Sequence, residues 1–244
     1  LLPGPNGYSD RTYDEEMKKI FAGFQAQGVN EFVLDLRYNG GGYENSANML
    51  AGLLPFQKLL EKKVFAVFSD NKGQSYSNDF CVETKGTAGY LKLNSNRIYI
   101  LTSQSTASSS EVVINSLNPF MDVILIGELT EGKNVGMEMQ KNDKYEWIYW
   151  PITLRVTNAV NYDYSAGFKP DIEWNEYDLT QNPTDALLPL GDPDEFMLGK
   201  AISLITGINR SARSMNTLSQ PIMRGGICVS IDRTSCHWRN VDGS

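Results

Sequence analysis

The chain is 244 residues long, 41% hydrophobic and 21% charged, a composition that fills a globular core and excludes disorder as its main state. With 22 Lys and Arg against 29 Asp and Glu, the net charge is -7, so there is no basic surplus for a phosphate backbone and nucleic acid is excluded as a natural partner. The longest uninterrupted apolar run, residues 64–68, falls far short of the ~20 residues a membrane-spanning helix needs.

In chain order, residues 10–27 read as a helix, because Met17, Ile20, Phe21 and Phe24 recur at helical spacing and Gly28 follows as a stop. Residues 31–36 form a short apolar strand that runs straight into Arg37-Tyr38-Asn39-Gly40-Gly41-Gly42. Three glycines after a strand mark unusual dihedrals or a close backbone approach. A helix is expected over 45–54, a strand over 64–68, and a polar excursion with a strand or hairpin of its own over about 69–96. Residues 97–102 are the next buried strand, followed by a Ser-rich stretch, 103–110, and a helix whose apolar face is Val112, Val113 and Leu117. Ser108 falls at or just before that helix's N-terminus, with Glu111 in a capping position. Residues 122–127 are a further buried strand, and 128–136 the loop after it. An aromatic, β-branched strand or hairpin is expected over 146–157 and a last helix over about 194–206. From 209 onward the chain is Ser, Arg and Gly rich, with weak periodicity.

Alternating strands and helices imply an α/β fold, with a mostly parallel, doubly covered sheet joined by crossover helices and additional antiparallel strands. In a parallel sheet the loops after 31–36, 97–102 and 122–127 emerge at one carboxyl edge, where ligands of open α/β sheets bind. A glycine turn, a serine at a helix start and Lys133 therefore share one side of the molecule.

A single histidine, His237, stands near the C-terminus, so acid–base chemistry elsewhere falls to Lys, Asp, Glu, Cys or Tyr. Cys81, Cys228 and Cys236 form no C-x-x-C pair, which argues against a Cys and His metal cluster. Cys228 and Cys236 are spaced either to bridge a short loop or to remain thiols. The chain opens on Leu1 with no signal-like succession, which reads as a mature product or an excised fragment.

These parts suit a serine hydrolase in which a neutral lysine replaces histidine as base. A solvated lysine is protonated at neutral pH and useless for this, whereas burial favours the neutral form. Lys133, between Gly132 and Asn134 after an apolar strand, is compatible with such burial. The N–H of Ser109 at the helix start and that of Gly41 are the natural donors to an oxyanion. Gly127, Gly132 and Lys133 also carry the spacing of a phosphate-binding loop, but Asn134 replaces its Ser or Thr and Glu128 and Glu131 would repel phosphate.

Four ordered stretches resemble the signatures of the C-terminal processing (tail-specific) protease family. They are residues 33–42 (VLDLRYNGGG), 105–111 (STASSSE), 127–133 with Gly127, Glu128, Thr130, Gly132 and Lys133, and 167–172 with Gly167, Pro170, Asp171 and Ile172. The 25-residue step from Ser108 to Lys133 is also that of the family's nucleophile and lysine. The resemblance implies a crotonase-like or ClpP-like α/β core and endopeptidase activity on protein or peptide chains, often near their C-termini, with no metal and no cofactor. It implies Ser108 as nucleophile, Lys133 as general base, and Gly41 or a neighbour, Gly40 or Gly42, with Ser109 as oxyanion hole. Many members orient the lysine with a Gln four residues on, where this chain has Met137, so the expectation is that either another group, Glu111 or Asn134, takes that part or the activity is lower. The family's substrate-receiving PDZ domain is expected upstream of Leu1, residues 1–208 form the catalytic core and 209–244 a tail. Tyr38, Asn134 and the run Asp163-Tyr164-Ser165 are most similar to members from Bacteroides-type bacteria, which are commonly exported and sometimes lipid-anchored, so an extracytoplasmic setting in the periplasm or cell envelope is expected. Two rivals stand beside the peptidase: a catalytically impaired peptide-binding homologue of the same fold, and an acyl-CoA enzyme, which leaves the Ser–Lys pair unexplained.

Overall fold

The computed structural model describes residues 4–6, 9–54, 60–81, 96–142, 144, 147–178, 180–182 and 188–208, and the backbone of 229–230. His237, Cys228 and Cys236 lie outside the described residues. Cys81 is exposed, and its N–H donates to Asn48 Oδ1 at 2.7 Å.

Five strands form one parallel sheet: β1 (Val33–Asp35), β4 (Arg97–Thr102), β5 (Asp122–Gly127), β10 (Ile172–Glu173) and β11 (Val229–Ser230), in the order β10-β5-β4-β1-β11. Its central strands are apolar without alternation because both faces are covered. On one face Leu34, Ile98, Ile100 and Leu125 join the main core with Phe21 and Phe24 of α1 (Thr12–Ala26), Leu50 and Ala51 of α2 (Glu44–Leu53), and Val113 and Ile114 of α3 (Ser109–Leu117). On the other face Val33, Tyr99, Leu101 and Ile126 pack against Met197, Leu198, Ala201 and Ile202 of α4 (Phe196–Thr206). Neighbouring residues on a strand point to opposite faces, so each strand serves both layers. Each fully buried Leu, Ile or Phe contributes ~1.5–3 kcal/mol to this packing.

A second, antiparallel sheet has the order β3-β2-β9-β6, from β2 (Val64–Asp70), β3 (Ser75–Asp79), β6 (Val135–Met137) and β9 (Ile152–Thr157). Residues 64–68 read like a strand of the parallel sheet, yet β2 belongs here: Phe65, Ala66 and Phe68 are buried while Val67, Ser69 and Asp70 are only partly covered. Residues 146–157 divide between sheets, β8 (Trp147–Tyr149) pairing with β7 (Gln140–Asn142) in an exposed hairpin and β9 joining β2 and β6. Helix α3 is held between the layers, against α2, β2 and β9. Helix α4 begins two residues later than the periodicity suggests because Glu195 caps it, accepting from the N–H groups of Met197 and Leu198. The C-terminal stretch supplies β11, which pairs in parallel with β1.

Candidate active site

The loops after β1, β4 and β5 meet at the carboxyl edge of the parallel sheet, and specific hydrogen bonds knit them together. Leu36 carbonyl accepts from Thr106 Oγ1 at 2.7 Å, and Asn39 carbonyl accepts from Ser110 Oγ at 2.8 Å and from the Ala107 N–H at 3.3 Å. The glycine turn is thus tied to the residues on either side of Ser108. Gly41, at φ +103°, has room for no side chain: a Cβ there would lie 2.7 Å from Ser108 Cβ and 2.9 Å from Ala107 carbonyl oxygen. This close approach is the physical reason for glycine at that position.

Ser108 is half-buried and directly precedes α3 with φ 55° and ψ -123°, a conformation that non-glycine residues adopt only when their surroundings impose it. Ser109 is buried, and its hydroxyl donates to Gly42 carbonyl at 2.7 Å, which joins the glycine turn to the first turn of α3. At the N-terminus of α3 the Ser110 N–H donates to Ala107 carbonyl at 3.1 Å and the Glu111 N–H to the Ser108 side chain in a capping box, so the Ser109 N–H and the positive end of the helix dipole are what face a developing negative charge.

Glu111 is the centre of the site's framework. It is 0% exposed, and Oε2 accepts the N–H of Ser108 at 3.0 Å and of Lys133 at 2.8 Å. Oε1 accepts the N–H of Gly132 at 2.7 Å and the hydroxyl of Thr130 at 2.6 Å. One carboxylate therefore sets the backbone of the serine against the backbone of the lysine loop. Its contact with Lys133 is to the main chain, at the backbone N–H.

Lys133 is half-buried, and Gly132 before it has φ +83° and packs against Ser165 and Gly167, where a Cβ would lie 2.5 Å from Ser165 carbonyl oxygen. Among the described residues no hydrogen bond joins Ser108 Oγ to Lys133 Nζ. Asn134 is turned toward Asp163. Its side chain donates to Asp163 Oδ1 at 2.7 Å, and its carbonyl accepts from the Val156 N–H at 2.8 Å. Asp163 also pairs with Arg155, and the Ser165 N–H, more than the neighbouring arginine, holds its carboxyl below the usual carboxylate range. Met137 lies on β6 with 44% of its surface exposed. The N–H of Gly41 donates to Asn39 Oδ1 at 3.0 Å, so this donor is engaged within the turn, while Gly42 is exposed and Gly40 partly so. Among the described residues no group of three His, Cys, Asp or Glu could hold a metal.

Sequence reasoning missed the charge cluster behind the turn. Arg37, 1% exposed, is paired with Asp35, Glu176 and Glu195. Asp35 and Arg37 stand together in the strand motif, but Glu176 and Glu195 are 139 and 158 residues away from Arg37, and no local pattern marks them.

A model of peptidase family S41 matches residues 6–174. A carboxyl-terminal-processing protease from Picosynechococcus sp. is 31% identical over 120 residues, 49% of this chain and 26% of that protein. A solved structure from Bacteroides fragilis NCTC 9343, assigned to the S41 proteases, superposes with a TM-score of 0.74 at 33% identity, covering 84% of this chain and 52% of that one. The photosystem II D1 C-terminal processing protease shares the fold, with a TM-score of 0.50 at 23% identity over 70% of this chain and 39% of that one. The chain spans about half the length of the first solved relative and about a quarter of the curated one. With the family model covering most of its length, the chain belongs to peptidase family S41.

Proposed function

We propose that this chain is the catalytic core of a serine endopeptidase in which Ser108 is the nucleophile and Lys133 the general base. The observation that carries the reading is the Glu111 bridge, which fixes the backbones of Ser108 and Lys133 on one carboxylate. In the reaction, neutral Lys133 takes the Ser108 hydroxyl proton as Oγ attacks the scissile carbonyl. The resulting oxyanion is held by the Ser109 N–H together with Gly41 or the adjoining Gly42. Lys133 then passes its proton to the leaving amine, an ester to Ser108 remains, and water activated by the same lysine releases the acid. A base–nucleophile hydrogen bond that is open without substrate is ordinary for such sites and closes in the substrate complex.

The substrates in this reading are protein chains cut near their C-termini, as the name of the cyanobacterial relative suggests, with selection by a module such as a PDZ domain upstream of this segment. An extracytoplasmic setting belongs to the same reading and rests on the family resemblance. Among the described residues no helix is long and apolar enough to cross a membrane.

The second reading is a peptide-binding homologue with impaired catalysis, favoured by the Gly41 N–H being spent on Asn39 and by Met137 in place of glutamine. One experiment separates them. Full-length protein should cleave an unstructured polypeptide and become labelled at Ser108 by a fluorophosphonate, and Ser108→Ala and Lys133→Ala should each lose turnover while remaining folded by circular dichroism. Wild-type turnover in either variant sinks the peptidase assignment.

A further inference from the structure

Arg37 is the residue at which the chain leaves β1 for the glycine turn, and its guanidinium is enclosed by three carboxylates. Nε lies 3.0 Å from Asp35 Oδ1, Nη2 2.7 Å from Asp35 Oδ2, and Nη1 2.6 Å from Glu176 Oε2 and 3.0 Å from Glu195 Oε1. The Tyr38 hydroxyl donates to the other oxygen of Glu176, and Tyr177 lies beside Tyr38. All three acids are almost fully buried. A single carboxylate, Asp35, already satisfies the guanidinium fork in bidentate fashion. The two further acids come from beyond the residues that the family model matches, Glu176 from the segment after β10 and Glu195 from the cap of α4.

The main chain of the same residue connects this cluster to Ser108. Arg37 carbonyl accepts from Ser103 Oγ in the loop that leads to Ser108, and two residues on, Asn39 carbonyl accepts from the Ala107 N–H and from Ser110 Oγ, on either side of Ser108. These bonds link the main chain at Arg37 and the glycine turn to the residues on either side of Ser108.

We propose that Glu176 and Glu195 are positioning residues for the Ser108 site, acting through Arg37 to hold the turn of residues 38–42 in register with the start of α3. This rests on the serine-peptidase reading above. It makes the segment from Glu176 through α4 a working part of the catalytic unit, although it lies outside the family-matched region. The guanidinium's planar fork is what lets acids from two distant segments fix one orientation, and a lysine could not be held in this way.

The test uses the full-length protein with Glu176→Gln and Glu195→Gln, each of which keeps the size of the side chain and one acceptor oxygen. Two quantities are read: amide hydrogen exchange along the chain, and kcat and KM on an unstructured polypeptide. The expected result is exchange about tenfold faster at residues 38–42 with α1 unchanged. Turnover should show a kcat lower by about 10- to 100-fold with KM within about threefold, since a small misplacement of the reacting groups costs rate rather than binding. Wild-type exchange at 38–42 and wild-type kcat in both variants overturn the proposal, as does faster exchange spread evenly over α1, α2 and the turn, which marks plain loss of stability. If the unmodified protein shows no Ser108-dependent turnover, the peptidase reading fails. Exchange then decides the coupling alone, local acceleration at 38–42 supporting it and wild-type exchange overturning it.

Discussion

Glu111 Oε2 accepts the backbone N–H of Lys133 at 2.8 Å, so the loop after β5 is docked onto a side chain of the helix that follows Ser108. The two residues are 22 apart in sequence, and the carboxylate between them is fully buried with two N–H donors on one oxygen and an N–H and a hydroxyl on the other. Hydrogen bonds to a charged group are stronger than neutral ones, and leaving a buried donor unmet costs about 1–3 kcal/mol.

Glu111→Ala should therefore strand four donors and lower unfolding stability by more than about 3 kcal/mol, measured by urea denaturation. Glu111→Gln is the sharper variant. Its amide nitrogen presents hydrogens to N–H donors, so fluorophosphonate labelling of Ser108 should fall by about 100-fold or more while the protein stays folded. Labelling at the wild-type rate would show that the bridge does not set the geometry of Ser108.

Gly41→Ala should abolish turnover at modest cost in stability. The added methyl would lie 2.7 Å from Ser108 Cβ at a φ of +103°, so the turn or Ser108 has to move. A loss of about 1–3 kcal/mol in thermal or chemical unfolding, typical of overpacking, should accompany a fall in kcat of at least about 100-fold.

Met137→Gln should leave kcat within about threefold of wild type, as expected for an exposed substitution outside the framework of the site. Met137 is 44% exposed on β6, and the lysine loop takes its position from Glu111 through the N–H groups of Gly132 and Lys133. Steady-state kinetics on the two proteins checks this, and a large gain would return the lysine-orienting role to position 137.

Asp14 gives a pH-dependent prediction remote from the site. It is 1% exposed at the α1–α2 contact, and burial raises its pKa above the usual 3.8, against the pull of Ser46, Arg11 and Lys18 and with a small push from Glu15. The 2.7 Å approach of Arg11 Nη2 is a charge contact without hydrogen-bond geometry. With the folded-state pKa above the unfolded one, Asp14 contributes its full stability below the unfolded value and loses it as pH rises through the folded value. Asp14→Asn should accordingly raise Tm at pH 7, and the difference should vanish near pH 3. A variant less stable than wild type at pH 7 would refute this assignment of the cost.

How far the sequence reaches differs from one feature to the next. Periodicity and punctuation placed α1, α2, the start of α3, β4 and β5 within a residue or two, because long apolar faces and glycine stops act locally. The serine at a helix start, the glycine turn and Lys133 were legible for the same reason, since each follows a recognisable apolar strand. The membership of β2 was not, because an apolar run reads alike in a parallel sheet and in a half-covered antiparallel one. The partner of Asn134 was also hidden, since Asp163 is 29 residues further on and reaches it only through the folding of β9.

By itself, then, the amino-acid sequence determined the main helices and the central strands β1, β4 and β5, that three loops share one edge of a parallel sheet, and which side chains there could carry acyl-transfer chemistry, while β6, β10 and β11 were not legible in it. These follow from covalent order, side-chain periodicity and the handedness of crossovers, all of which act over short stretches. Only the tertiary structure decided that Glu111 sets the backbones of Ser108 and Lys133 together, that the Gly41 N–H is bound by Asn39, and that Glu176 and Glu195 enclose Arg37. Buried charges must find partners wherever the fold brings them, and those partners are chosen by three-dimensional proximity, which no spacing along the chain records.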